Sequence, residues 1–204
     1  MKEIEGFISP EEARYLMRMI DNYANKSMVV GSGDQMNSYS ESRTSYTANL
    51  IANDPTVESL HKKIAKYLGY PLHKGESLQG QRYQEGQYFA SHTDYFKGDC
   101  YERNCLSSGN RTHTFMLYLN DDFEGGTTNF PHLKREFKPK SCKGVIWNNL
   151  QQGVPNEYMT HSGEPVTKGT KYIITSWWRE NRWNGGADGK LYEEKLKSSQ
   201  LSII

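Results

Sequence analysis

His92 and Asp94 stand two residues apart after a turn-and-strand run from Tyr83 to Tyr88, and His161 and Lys171 follow far downstream. Side chains at i and i+2 of a strand point to one face, so one imidazole and one carboxylate can converge on one ion. A second imidazole from a distant strand completes a 2-His-1-carboxylate set. That set suits ferrous iron and leaves positions open for substrate and oxygen. Zinc takes the same ligand types and would activate water instead. In the predicted strand after residue 170, Lys171, Ile173, Thr175, Trp177 and Arg179 alternate onto one face. A buried ammonium is costly unless paired, so an inward Lys171 calls for an anionic partner such as the far carboxylate of a dicarboxylic acid.

These residues need a scaffold, and the sequence marks one. Ser9-Pro10-Glu11-Glu12 is an N-cap, a proline at the first helical position and a capping-box acid. Behind it Ala13, Leu16, Met17 and Ile20 form an apolar stripe. Asp54-Pro55 opens a second helix with the stripe Val57, Leu60, Ile64 and Tyr67/Leu68, stopped by Gly69. Residues 27–47 are rich in Ser, Gly, Asn and Tyr and read as loops and short strands. From residue 77 onward the pattern is strands broken by Gly, Asn and Pro turns, clearest at Thr112–Asn120, Lys143–Asn148 and Lys171–Arg179. The tail from residue 184 is polar, with room for a short helix. Helices first, then many strands without βα alternation, predict two packed antiparallel sheets flanked by helices.

At 204 residues the chain fits one domain with a real core. Hydrophobic content is 35%, but 12% aromatics, with 14 Tyr and 4 Trp, can fill a core with fewer apolar residues. A formal net charge of +1 and no basic stripe argue against nucleic acid and against an anionic membrane surface. No apolar run approaches a membrane span and the first residues lack a signal-peptide core, so a cytoplasmic location is expected. Cys100, Cys105 and Cys142 are too few for a disulfide framework, although Cys100 and Cys105 could bridge one loop. Nothing in the sequence bears on oligomeric state.

Several further blocks occur in order: Gly6 to Glu12, Ser42-Arg43-Thr44-Ser45, Glu76 to Gln79, Tyr83 to Asp94, Arg111 to Thr114, Leu117 to Asn120, and Glu124 to Pro131. With the metal motif they resemble the prolyl 4-hydroxylase family of the iron(II)- and 2-oxoglutarate-dependent dioxygenases, over roughly residues 5 to 183. The resemblance implies a mainly β, α+β fold built on a double-stranded β-helix (jelly-roll). Its expected layout is helical and loop support over about 1–75, a core over about 76–183 and a polar tail over 184–204. It implies Fe(II) on His92, Asp94 and His161, and 2-oxoglutarate on Lys171 with Tyr83 and Thr114 beside it. It also implies O2 as the oxidant and ascorbate as the agent that keeps the iron ferrous.

The reaction implied is hydroxylation of peptidyl proline in proline-rich or collagen-like sequence, giving 4-hydroxyproline, succinate and CO2. An intact Asp94 argues for hydroxylation, because related halogenases leave that position small. Arg43, Ser45, Glu76, Arg111, Trp177 and Arg179 are the expected contacts to a proline-containing peptide or protein. Plainer readings make Arg43 and Glu76 a loop ion pair and Trp177 core. Two positions depart from the family pattern: Arg179 where histidine is frequent, and Phe89 where tyrosine is common. Other readings are hydroxylation of another peptide side chain or a free amino acid, or a peptide-binding barrel without turnover.

Overall fold

The computed structural model describes residues 1–29 and 41–185. The middle of the 27–47 segment and nearly all of the tail read as a short helix lie outside these residues.

Helix α1 (Pro10–Tyr23) begins with the capping box: Glu12 N–H donates to Ser9 Oγ at 3.1 Å, and Ser9 N–H donates to Glu12 Oε2 at 2.8 Å. Helix α2 (Pro55–Leu68) starts on Asp54, whose carboxylate accepts from the amides of Thr56 and Val57, and ends at Gly69 with φ of 71°. The buried stripes differ slightly from those expected. Met19 is buried where Met17 is half-buried, and Ala65 replaces Tyr67, which is 47% exposed.

Seven strands form one antiparallel sheet in the order Lys2–Ile4, Gly144–Asn148, Arg111–Tyr118, Lys171–Arg179, Gln79–Tyr83, Tyr46–Asn49, Asn25–Lys26. Four form a second sheet in the order Phe89–His92, His161–Gly163, Thr128–Phe130, Arg135–Phe137. This is the jelly-roll architecture. Three strands of the large sheet come from the first 75 residues, which are therefore part of the sheet as well as its helical support.

The helices cover one face of the large sheet, with Leu16, Ile20, Leu60 and Ile64 packed against Phe115, Leu117, Ile174 and Trp178. Gly80 marks where α1 meets the sheet most closely, because a Cβ there would sit 2.3 Å from Ile20 Cγ1. The other face meets the small sheet across Tyr83, Met116, Tyr118, Phe130, Phe137, Val145, Trp147 and Ile173. Of the predicted site residues, Arg43, Tyr83, His92, Asp94, His161, Lys171 and Trp177 line the space between the sheets. No described helix is long and apolar enough to cross a membrane. No disulfide joins Cys100, Cys105 or Cys142.

Candidate metal centre and its pocket

His92 is the last residue of its strand and pairs in register with His161, so sheet formation sets the two imidazoles side by side, ring centroids 4.3 Å apart. Each ring is fixed through Nδ1, His92 to Ala90 O at 2.8 Å and His161 to Met159 O at 2.9 Å. A carbonyl only accepts, so both Nδ1 atoms carry the proton and Nε2 is the atom each ring turns toward Asp94. His92 Nε2 lies 3.8 Å from Asp94 Oδ1, and His161 Nε2 lies 3.8 Å from Asp94 Oδ2. Those gaps are too long for hydrogen bonds. The three ligand atoms lie within 4.8 Å of one another. Facing donors that do not bond to each other fit a shared cation with ligand distances of about 2 Å.

Asp94 reaches this point by a route the alternation argument did not foresee. The strand stops at His92 and Asp94 sits beyond it in a bend. Asn110 pins that bend by accepting from Phe96 N–H and donating to Phe96 O, each at 2.9 Å. The convergence of His92 and Asp94 is thus made by a turn.

The electrostatics of His92 and Asp94 favour their ligating forms. Burial and then the neighbouring His161 push the His92 imidazole down to about 3, so it is neutral at ordinary pH. Burial opposes ionisation of Asp94, but His161, His92, Arg111 and the Thr114 hydroxyl outweigh it and hold the carboxyl below its usual range. Phe89 stacks on His92 at 3.6 Å and 15°, Phe130 stacks on His161 at 5.1 Å, and Trp147 meets His161 edge-on at 4.8 Å.

A cavity runs from these ligands to Lys171 between the two sheets. Lys171, Ile173, Thr175 and Trp177 all line it, as strand alternation requires. Lys171 is 2% exposed and donates to Gly126 O at 2.6 Å. Its Nζ lies 5.2 Å from the Tyr83 ring, the residue paired with it in register, and 5.5 Å from the Tyr118 ring. Burial depresses the amine to about 7, with Glu164 pulling weakly the other way. Among the described residues no carboxylate forms an ion pair with this amine, which fits the distal carboxylate of a dicarboxylic acid.

The remaining candidates divide. Arg43, Trp177 and Arg111 line a groove at the cavity mouth, joined by Phe89, over which the Arg43 guanidinium sits at 4.8 Å. Thr114, expected beside the co-substrate, donates to Asp94 Oδ2 at 2.6 Å. Ser45 is fully buried and bonded to Ser27 at 2.8 Å, beneath the groove. Glu76 does not pair with Arg43. It takes Arg111 through two 2.7 Å bonds and Arg179 through one of 2.5 Å. Arg179 also donates to the carbonyls of Asn104 and Gly109, which keeps it out of the groove. Burial works against the Glu76 charge, yet the two guanidiniums hold its carboxyl below the ordinary range. Gln81, Met116, Thr128 and Trp147 also line the cavity and were not anticipated. Strand parity could have found Met116, between Thr114 and Tyr118, but offers nothing for Thr128.

Residues 78–179 match the pattern of the 2OG-Fe(II) oxygenase superfamily. The chain belongs to that superfamily. Within it the similarities run to the prolyl 4-hydroxylase family. Prolyl 4-hydroxylase 1 of Arabidopsis thaliana is 29% identical over 194 residues, covering 87% of this chain and 68% of that one. Prolyl 4-hydroxylase 2 of the same plant is 30% identical, covering 85% of this chain and 64% of that one. The 2OG complex of a viral collagen prolyl hydroxylase from Paramecium Bursaria Chlorella virus-1 superposes with a TM-score of 0.69 at 25% identity, over 87% of this chain and 94% of that one. A Trichoplax adhaerens prolyl hydroxylase at 13% identity, TM-score 0.66, shares the fold. This oxygenase is accordingly a 2-oxoglutarate-dependent dioxygenase that uses Fe(II), 2-oxoglutarate and O2.

Proposed function

We propose that this oxygenase is a peptidyl-prolyl 4-hydroxylase acting on an extended proline-rich or collagen-like segment. The observation that carries the reading is one cavity with the three ligands His92, Asp94 and His161 at its mouth side and the buried cation of Lys171 at its far end. Iron(II) held by those ligands supplies the oxidising chemistry that inserts one atom of O2 into a C–H bond while 2-oxoglutarate becomes succinate and CO2.

The chain's own residues do the binding and orientation. The Lys171 ammonium takes the distal carboxylate, with the rings of Tyr83 and Tyr118 beside it. Phe89, Phe130 and Trp147 keep water from the imidazoles. At the mouth, the Arg111 guanidinium sits over the Trp177 ring at 3.9 Å, held in place by Glu76. A polyproline II ligand offers exposed carbonyls and flat pyrrolidine faces, which guanidinium donors and aromatic rings recognise. The Arg111–Trp177 pair supports such a ligand.

The test is incubation of the protein with iron(II), 2-oxoglutarate, ascorbate and proline-rich peptides, read by mass spectrometry. Succinate and singly oxygenated peptide are expected in equal amounts, with the oxygen on C4 of proline. His161→Ala is expected to lose both products and retain the wild-type circular dichroism. Turnover of 2-oxoglutarate to succinate with no oxygenated proline in any peptide overturns the substrate assignment.

A further inference from the structure

We propose that Asn149 is a positioning residue for the metal centre, acting through Thr114 to hold in place the hydroxyl that donates to Asp94. This rests on the reading of His92, Asp94 and His161 as metal ligands.

Asn149 follows directly on the Gly144–Asn148 strand and is fully buried. Its backbone is anchored on both sides: its N–H donates to Thr112 O at 2.8 Å, and its carbonyl accepts from Asn156 N–H at 2.9 Å. From that fixed position Nδ2 reaches Thr114 Oγ1 at 2.9 Å. Thr114 Oγ1 in turn lies 2.6 Å from Asp94 Oδ2. A hydroxyl has one hydrogen and an ionised carboxylate can only accept, so that hydrogen belongs to Asp94. The Thr114 oxygen is then left as an acceptor, and only the amide nitrogen of Asn149 can meet it. The amide orientation follows from proton counting alone.

The other end of the amide supports a directing role. Asn149 Oδ1 is buried and has no hydrogen-bond partner among the described residues. A half-satisfied amide in a dry interior is a poor choice for stability, and an apolar side chain of that volume avoids the penalty. What asparagine supplies there, and leucine does not, is an N–H that stops the Thr114 hydroxyl from rotating. With the hydroxyl locked, the Asp94 carboxylate is held in one plane facing His92 and His161. Residues that orient metal ligands from behind typically change metal affinity 10–100-fold when lost.

The test uses cobalt(II) in place of iron, titrated anaerobically into the full chain by calorimetry, with the visible Co(II) spectrum recorded. Asn149→Leu is expected to bind cobalt roughly 10–100-fold more weakly, with an altered spectrum and a melting temperature no lower than wild type. Asn149→Asp, which offers acceptors where a donor is needed, is expected to weaken cobalt binding despite its added acid. In a Thr114→Val background Asn149→Leu should have no further effect, because the intermediary is gone. Should leucine not be accommodated, Asn149→Ser carries the same comparison. Wild-type cobalt affinity in Asn149→Leu, or an equal loss with and without Thr114, overturns the proposal. A His92→Ala control that binds cobalt as well as wild type instead overturns the metal-site reading beneath it.

Discussion

Replacing Lys171 by methionine keeps an unbranched chain of similar length and removes the charge. In the ligand-free protein the amine is displaced from 10.5 to about 7 by burial. At about 1.4 kcal/mol per unit this is a penalty on the order of 4–5 kcal/mol against the protonated amine in the folded state, an upper bound before relaxation. The bond to Gly126 O offsets part of it. Lys171→Met is therefore expected to raise the melting temperature of the ligand-free protein. In the complex the ammonium meets a carboxylate in a dry cavity, and losing one partner of such a pair costs about 2–5 kcal/mol. That corresponds to a 2-oxoglutarate affinity at least roughly 30-fold weaker. Calorimetric titration of 2-oxoglutarate into cobalt(II)-loaded protein and thermal melts without ligand measure the two effects separately. Their opposite signs are the signature of an amine held for a ligand. A variant that melts lower and binds 2-oxoglutarate unchanged would refute it.

Three more outcomes follow from the same geometry. The folded-state value of Lys171 lies below its unfolded one, so its proton is lost as pH rises through about 7. Below that value the ammonium is present, and above it the KM for 2-oxoglutarate should climb, approaching tenfold per pH unit, a slope that Lys171→Met should lack. Glu76→Gln leaves Arg111 and Arg179 buried without their shared carboxylate. Denaturant unfolding should register a loss of about 3–5 kcal/mol. Gly126 has φ of +62°, and a Cβ there would lie 2.8 Å from Phe123 Cε2 and 3.1 Å from Lys171 Cδ. Gly126→Ala should raise the KM for 2-oxoglutarate while leaving cobalt affinity near wild type, as steady-state kinetics and calorimetry would show.

Much of the fold was legible because its signals are local. Ser9 with Glu12, Asp54 with Pro55, and Gly69 define both long helices within a few residues. Alternation from Lys171 to Trp177 identified a face, and that face does line the cavity. What the sequence did not foresee were partners distant in the chain. Thr114 and Arg179 were read as ligand contacts by their place in ordered motifs. Asp94 takes the hydroxyl of the first, and Glu76 with the carbonyls of Asn104 and Gly109 takes the guanidinium of the second.

The order of residue types along the chain determined the helix ends, the strand faces and the kind of ion that two imidazoles and a carboxylate prefer. Which donor meets which acceptor was decided only when the sheets closed. The register that sets His92 beside His161, the turn that brings in Asp94, and the packing that buries Lys171 beside Gly126 each join segments far apart in the chain. Hydrogen-bond direction and desolvation depend on what arrives from elsewhere, and no spacing along one strand encodes that.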